Sequence, residues 1–172
     1  MLDFKQFVKP FADVTVNTFK NFVGYDLFPR NPYFTNKEIE LHSDITGVIC
    51  VSGSLRGAVT ISMKMELAKN ITGKLIGSPP VDIDIDTDVV DAIGEITNII
   101  AGNAKQKIPD GDNVVISLPT VVKGDEHEVI WLSNNKRVLC IPFAMSENRI
   151  FTILVSFGVE QSDLMETSGK IA

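Results

Sequence analysis

Histidine and cysteine are scarce in this chain, two of each in 172 residues, and that scarcity removes several chemistries at once. His42 and His127 lie neither at i, i+4 spacing nor beside a Cys-x-x-Cys pair, so no zinc-site pattern is present. DEHE around His127 reads as a solvated turn. Cys50 and Cys140 fall in the apolar runs GVICVSG and RVLCIPF, where small thiols are ordinarily buried, and both are expected to be reduced core residues. Neither has an immediate basic neighbour and no Gly-x-Ser-x-Gly elbow occurs, which leaves nucleophilic hydrolysis by serine or cysteine without a candidate. Long apolar runs are missing as well. No stretch reaches the roughly 18 residues needed to span a bilayer, and the opening MLDFKQFVKPFADV carries acids and lysines where a signal peptide keeps its apolar run. The expectation is a cytoplasmic protein without membrane contact.

Basic residues are in deficit, 16 against 22 acidic ones for a net charge of −6, and they are scattered. Nucleic-acid binding needs them clustered, so it is not expected. GSLRG lacks the Lys-Ser/Thr of a nucleotide phosphate loop and reads as a hairpin turn. VDIDIDTD places Asp82, Asp84, Asp86 and Asp88 at alternate positions, but a calcium loop wants glycine sixth and glutamate twelfth, where this chain has Thr87 and Ile93. The run reads instead as an acidic lead-in to a helix, with Thr87 or Asp86 as its cap and no metal site.

What is present is enough for one core: 44% of the residues are hydrophobic, and the length fits one domain. We expect that domain over residues 1–158, followed by a frayed polar tail, 159–172. Apolar residues at near-helical spacing from Phe4 to Phe22 predict an N-terminal helix stopped by Gly24, with Pro10 either kinking it or marking its true start. EIELHS alternates like a strand, and GVICVSGSLRGAVTISM reads as a hairpin. MELAKNITGKLIG predicts a second helix, closed by Gly77 and Pro79-Pro80. A third helix over TDVVDAIGEITNIIAGNAKQK precedes four strand-like runs, NVVISLPTVV, EVIWLS, RVLCIPF and RIFTILVSF. The hairpins GVICVSGSLRGAVTISM and RVLCIPFAMSENRIFTILVSF echo one another, each with a cysteine in its first strand. The fold class is therefore α+β: an antiparallel sheet with an internal pseudo-duplication and helices packed on it.

The third helix carries the candidate site. At about 100° per residue, Val89, Ala92, Ile93, Ile96, Ile99, Ile100 and Ala104 share a core-facing side, while Asp91, Glu95, Asn98 and Gly102 fall within roughly 60° on the other. Gly94 and Ala101 flank that stripe, so little side-chain bulk stands beside its polar groups and a partner's backbone could approach. Glycine inside a helix costs about 1 kcal/mol relative to alanine, which implies a contact reason for Gly94 and Gly102. The bland reading, a solvated face, remains the competitor.

DAIGEITN, with Asp91, Glu95 and Asn98 at the spacing Asp-x-x-x-Glu-x-x-Asn, resembles the motif of the CheC/CheX/FliY group of chemotaxis phosphatases. IIAGNAK, GVICVSGSLRGAVTISM, SLPTVVKG and the late IPF resemble its CheX branch, and the likeness runs from FVKPFADVTVNTF to RIFTILVSF. The chain has one copy of the helix motif, since MELAKNITGKLIG lacks Glu-x-x-Asn, which favours CheX over CheC. Pro119 matches the family's downstream proline at a shorter spacing and is given a structural role only. The resemblance implies a CheC-like fold and hydrolysis of the aspartyl phosphate of a CheY-like receiver. In that scheme Asn98 orients the water, Glu95 pairs with a receiver lysine, and Asp91, Gly94, Ala101 and Gly102 contact the partner. It also implies a homodimer, and no cofactor beyond Mg²⁺ held in the receiver's own site. The alternatives are a non-catalytic receiver-binding or adaptor module and a ligand-binding regulatory domain.

Overall fold

Two long hairpins form the middle of the sheet. The computed structural model describes residues 4–35, 39–129, 136–145 and 149–160. β3 (Ile39–Gly53) and β4 (Gly57–Met63) make the first hairpin; β7 (Lys136–Met145) and β8 (Arg149–Glu160) make the second. β4 pairs with β8, Val59 opposite Phe157, which joins the hairpins back to back. All strand pairings are antiparallel. The outer flank of β7 carries β1 (Leu27–Pro29) and β2 (Tyr33–Thr35), and the outer flank of β3 carries β5 (Val114–Ile116) and β6 (Thr120–Val129).

The internal echo is therefore real and extends beyond the hairpins. Helix α1 (Phe4–Thr18), β1, β2 and the β3–β4 hairpin are matched in order by helix α3 (Val90–Lys105), β5, β6 and the β7–β8 hairpin. Each half lends its short strands to the other half's hairpin. Both short-strand pairs are interrupted by a three-residue link ending in proline, Arg30–Pro32 and Ser117–Pro119. At the first break the Arg30 amide donates to the Pro142 carbonyl. Pro142 thus turns its missing N–H toward the gap between β1 and β2, where the ladder needs no donor.

Alternation along the strands puts Ile45 and Ile49 of β3, Val59, Ile61 and Met63 of β4, and Leu139, Ile141 and Phe143 of β7 into one core. The helices supply its other half, with Phe7, Phe11 and Val14 from α1, Leu67 and Ile71 from α2 (Met65–Ile76), and Ile93, Ile96 and Ile100 from α3. Among the described residues, no helix is long and apolar enough to cross a membrane.

Several local expectations change. α1 runs through Pro10 and continues as a π-helical turn, Phe19–Val23, before Gly24 stops it at φ 74°. EIELHS and GVICVSG are one strand, because register shifts around Ser43 and Ile45 absorb the irregularity. NVVISLPTVV is split into β5 and the start of β6. The DEHE turn is part of β6 instead, where His127 Nε2 lies 2.7 Å from Thr46 Oγ1. Cys140 is fully buried but Cys50 is exposed. β8 continues through Glu160, two residues past the expected domain boundary, and the rest of the tail lies outside the described residues.

Candidate functional site

α3 is prepared by the acidic run before it. Asp84, not Thr87 or Asp86, is the cap: its Oδ1 accepts from the Asp86 and Thr87 amides at 2.8 and 2.9 Å, while the Asp84 amide donates to Asp88 Oδ2 at 3.0 Å. The cap falls earlier because a π-helical turn, Ile85–Val89, feeds into α3. Among the described residues, no group of three or more His, Cys, Asp or Glu is placed to hold a metal ion.

The predicted face division holds along α3. Ala92, Ile93, Ile96, Ile100 and Ala104 are buried, with Ile99 half-buried at the margin, while Asp91 and Glu95 are exposed and Asn98 and Gly102 are half-buried. Asp91, Glu95, Asn98 and Gly102 therefore do share one outward stripe. Glu95 and Asn98 are three residues apart, adjacent on the helix surface at a rise of about 4.5 Å. Among the described residues, neither side chain takes a hydrogen-bond or ion-pair partner. A carboxylate acceptor and an amide that both donates and accepts thus stand next to each other, open to an incoming group.

The flanking residues are enclosed by other parts of this chain. Ala101 is buried and lines a cavity together with Phe7 and Phe11. Gly94 is buried too, because a β-carbon there would meet Val121 Cγ2 at 3.5 Å and Pro119 Cγ at 3.8 Å. At Gly102 the nearest group would be Ile116 Cδ1 at 3.9 Å. What approaches the glycine side of α3 is this chain's own β5–β6 segment, running from Ile116 beside Gly102 to Val121 beside Gly94. That segment walls one side of the polar stripe. Helical periodicity carries no information about it, and within the link the sequence speaks only for Pro119, in a structural role.

On the β-sheet side, α3 is seated by Thr97, which is fully buried and donates from Oγ1 to the Ile93 carbonyl at 2.6 Å. A second anchored group lies at the far end of the site's strand. Asp44, at the irregular point of β3, accepts from the Met65 amide at 3.0 Å and the Glu126 amide at 3.2 Å, and pairs with Lys64 at 3.3 Å. The Met65 amide bond, then the Glu126 amide and Lys64, hold its carboxyl below the usual carboxylate range against the opposing effect of burial.

The family description chemotaxis phosphatase CheX matches residues 45–144, which take in the whole of α3 and the β5–β6 segment. CheY-P phosphatase CheX of Thermotoga maritima is 29% identical over 96 residues, covering 55% of this chain, and the chain spans 61% of that protein's length. The crystal structure of a chemotaxis protein CheX from Desulfovibrio desulfuricans is 26% identical, with a TM-score of 0.77 over 90% of this chain and 99% of that one. A CheX–CheY–BeF₃–Mg²⁺ complex from Borrelia burgdorferi shares the fold at 20% identity, with a TM-score of 0.72 over 93% and 99% of the two chains. α1, the positional counterpart of α3, contains no glutamate, so the Glu-x-x-Asn pattern occurs in one half alone. With the matched segment spanning more than half of the chain, this protein belongs to the CheX family of chemotaxis phosphatases.

Proposed function

We propose that the protein hydrolyses the aspartyl phosphate of a CheY-like receiver domain, with Asn98 orienting the attacking water and Glu95 pairing with a lysine of the receiver. The observation that carries the reading is the adjacent Glu95 and Asn98 on the outward stripe of α3, both without a partner among the described residues, in a member of this family. The Thermotoga relative, named a CheY-P phosphatase, and the Borrelia complex with CheY support it.

Phosphoryl transfer of this kind asks for positioning more than covalent help. A water held by the Asn98 amide in line with the scissile bond attacks phosphorus as the bond to the aspartate oxygen breaks. The products are a free carboxylate and inorganic phosphate, which retains the proton surrendered by the water. Asn98 is neutral and serves without changing its protonation state. Glu95 acts through its charge: closing an interface over a carboxylate is costly unless a cation meets it, and the receiver's lysine supplies one. Mg²⁺ is assigned to the receiver, where it offsets the charge of the phosphoryl oxygens.

The test is phosphate release from a Mg²⁺-bound, phosphorylated receiver. Wild type is expected to accelerate release over the receiver's own turnover, and Asn98→Ala and Glu95→Ala to reduce that acceleration on the order of a hundredfold. A wild-type protein that leaves the receiver's own rate unchanged would overturn the reading.

A further inference from the structure

Leu118 is the most exposed large apolar side chain among the described residues, at 86%. It belongs to the Ser117–Pro119 link, the part of the β5–β6 segment that lies beside the middle of α3, between the contacts at Gly102 and Gly94. The link is not loose. The Ser117 amide donates to the Cys50 carbonyl at 2.9 Å. Ser117 Oγ accepts from the Cys50 amide at 3.0 Å and donates to the Leu118 carbonyl at 2.7 Å. Pro119 fixes the next φ and rests against the Gly94 side of the helix. Three hydrogen bonds and a proline therefore hold a leucine out in water, where it gains nothing from the fold.

The pseudo-duplication supplies an internal control. The matching link in the other half, Arg30–Pro32, also has three residues and ends in proline, yet its middle residue is the exposed polar Asn31. The link's geometry does not require an apolar residue at that position. Leucine occurs in the half whose helix carries Glu95 and Asn98, and asparagine in the half whose helix lacks them.

We propose that Leu118 is a receiver-binding residue: it packs on apolar surface at the rim of the receiver's active site while the α3 stripe engages the phosphorylated aspartate. This rests on the function proposed above and adds the source of affinity to it. Glu95 and Asn98 are polar and pay to be desolvated, so a neighbouring apolar anchor is what holds the two surfaces together. Its contribution belongs to association and not to the reacting atoms.

The experiment compares wild type, Leu118→Ser and Leu118→Met in two assays. One is titration with a receiver carrying beryllofluoride and Mg²⁺; the other is the dependence of phosphate release on receiver concentration. Leu118→Ser is expected to raise Kd and KM about tenfold with kcat within twofold of wild type, since burying one leucine is worth at least that in affinity. Leu118→Met should stay within twofold on all three. Unchanged Kd in Leu118→Ser overturns the proposal, as does a change of oligomeric state in the receiver-free protein, which would assign Leu118 to contact between copies of this chain. If wild type binds without accelerating release, the catalytic reading fails and the Kd comparison still decides Leu118. If wild type does not bind, both fall.

Discussion

Gly47 of β3 lies directly under Thr97 of α3, so close that a β-carbon on residue 47 would stand 2.0 Å from the threonine Oγ1 and 2.9 Å from its Cβ. Thr97 is the residue before Asn98, and its hydroxyl is tied to the helix's own backbone. The pair sets the height of α3 above the sheet, and with it the position of the proposed water-orienting amide.

Gly47→Ala is accordingly expected to destabilise the protein by about 1–3 kcal/mol, the usual cost of overpacking a filled interior. Activity should fall further than stability explains, because lifting α3 by a fraction of an ångström misplaces Asn98. Combining it with Thr97→Ala should recover part of the stability, as expected for residues in direct contact. Urea unfolding of the two single variants and the double variant measures this; strictly additive losses would show that the contact does not set the packing.

Asp44 makes a prediction in pH. It caps α2 from another element, through the Met65 amide, while Lys64 at the helix's own N-cap position makes no side-chain cap bond. Asp44→Ala should cost on the order of 1 kcal/mol at neutral pH. The folded-state carboxyl titrates below its ordinary 3.8, so its contribution is complete above that value and is lost as pH falls through the lowered one. The gap in Tm between wild type and Asp44→Ala should close in strongly acidic solution. A gap that is constant with pH would remove the charge from the explanation.

The two cysteines should separate cleanly. Burial pushes the Cys140 thiol up to about 11, whereas Cys50 is exposed. A thiol reagent at pH 8 is expected to modify one thiol in the native protein and the second only on unfolding, with Cys50→Ser abolishing the native reaction. Two native thiols would contradict the burial of Cys140.

Periodicity made the three helices and both central hairpins legible, because apolar spacing directly reports which face meets the core. It also set Glu95 and Asn98 on the outward stripe, which is the remainder once the apolar face of α3 is assigned. What it could not report were contacts between distant segments. Nothing near Cys50 in the sequence announces that it stays exposed while Thr46, on the same face of β3, is buried. Asp84 escapes a reading by cap position because a π-helical turn moves the cap away from the first regular turn. Gly94 and Gly102 signalled close approach, and the segment that lies against them within this chain, Ile116–Val121, is 14 or more residues away in sequence. MELAKNITGKLIG is not the counterpart of the motif helix: the order of elements makes α1 its counterpart. The single-motif conclusion survives, because α1 has no Glu-x-x-Asn either.

The lending of short strands between halves bears on how the molecule comes into being. During synthesis β1 and β2 emerge long before β7, the strand they will border, and β3 also precedes β5 and β6, though by a shorter stretch of chain. Neither half can close its own flank, so an early fragment exposes an unpaired hairpin edge, the kind of surface that recruits another chain. Such non-local pairing slows folding and ties the whole sheet into one cooperative event. A half cut out on its own would therefore leave the outer edge of its long hairpin uncovered, and only the other half's short strands close it.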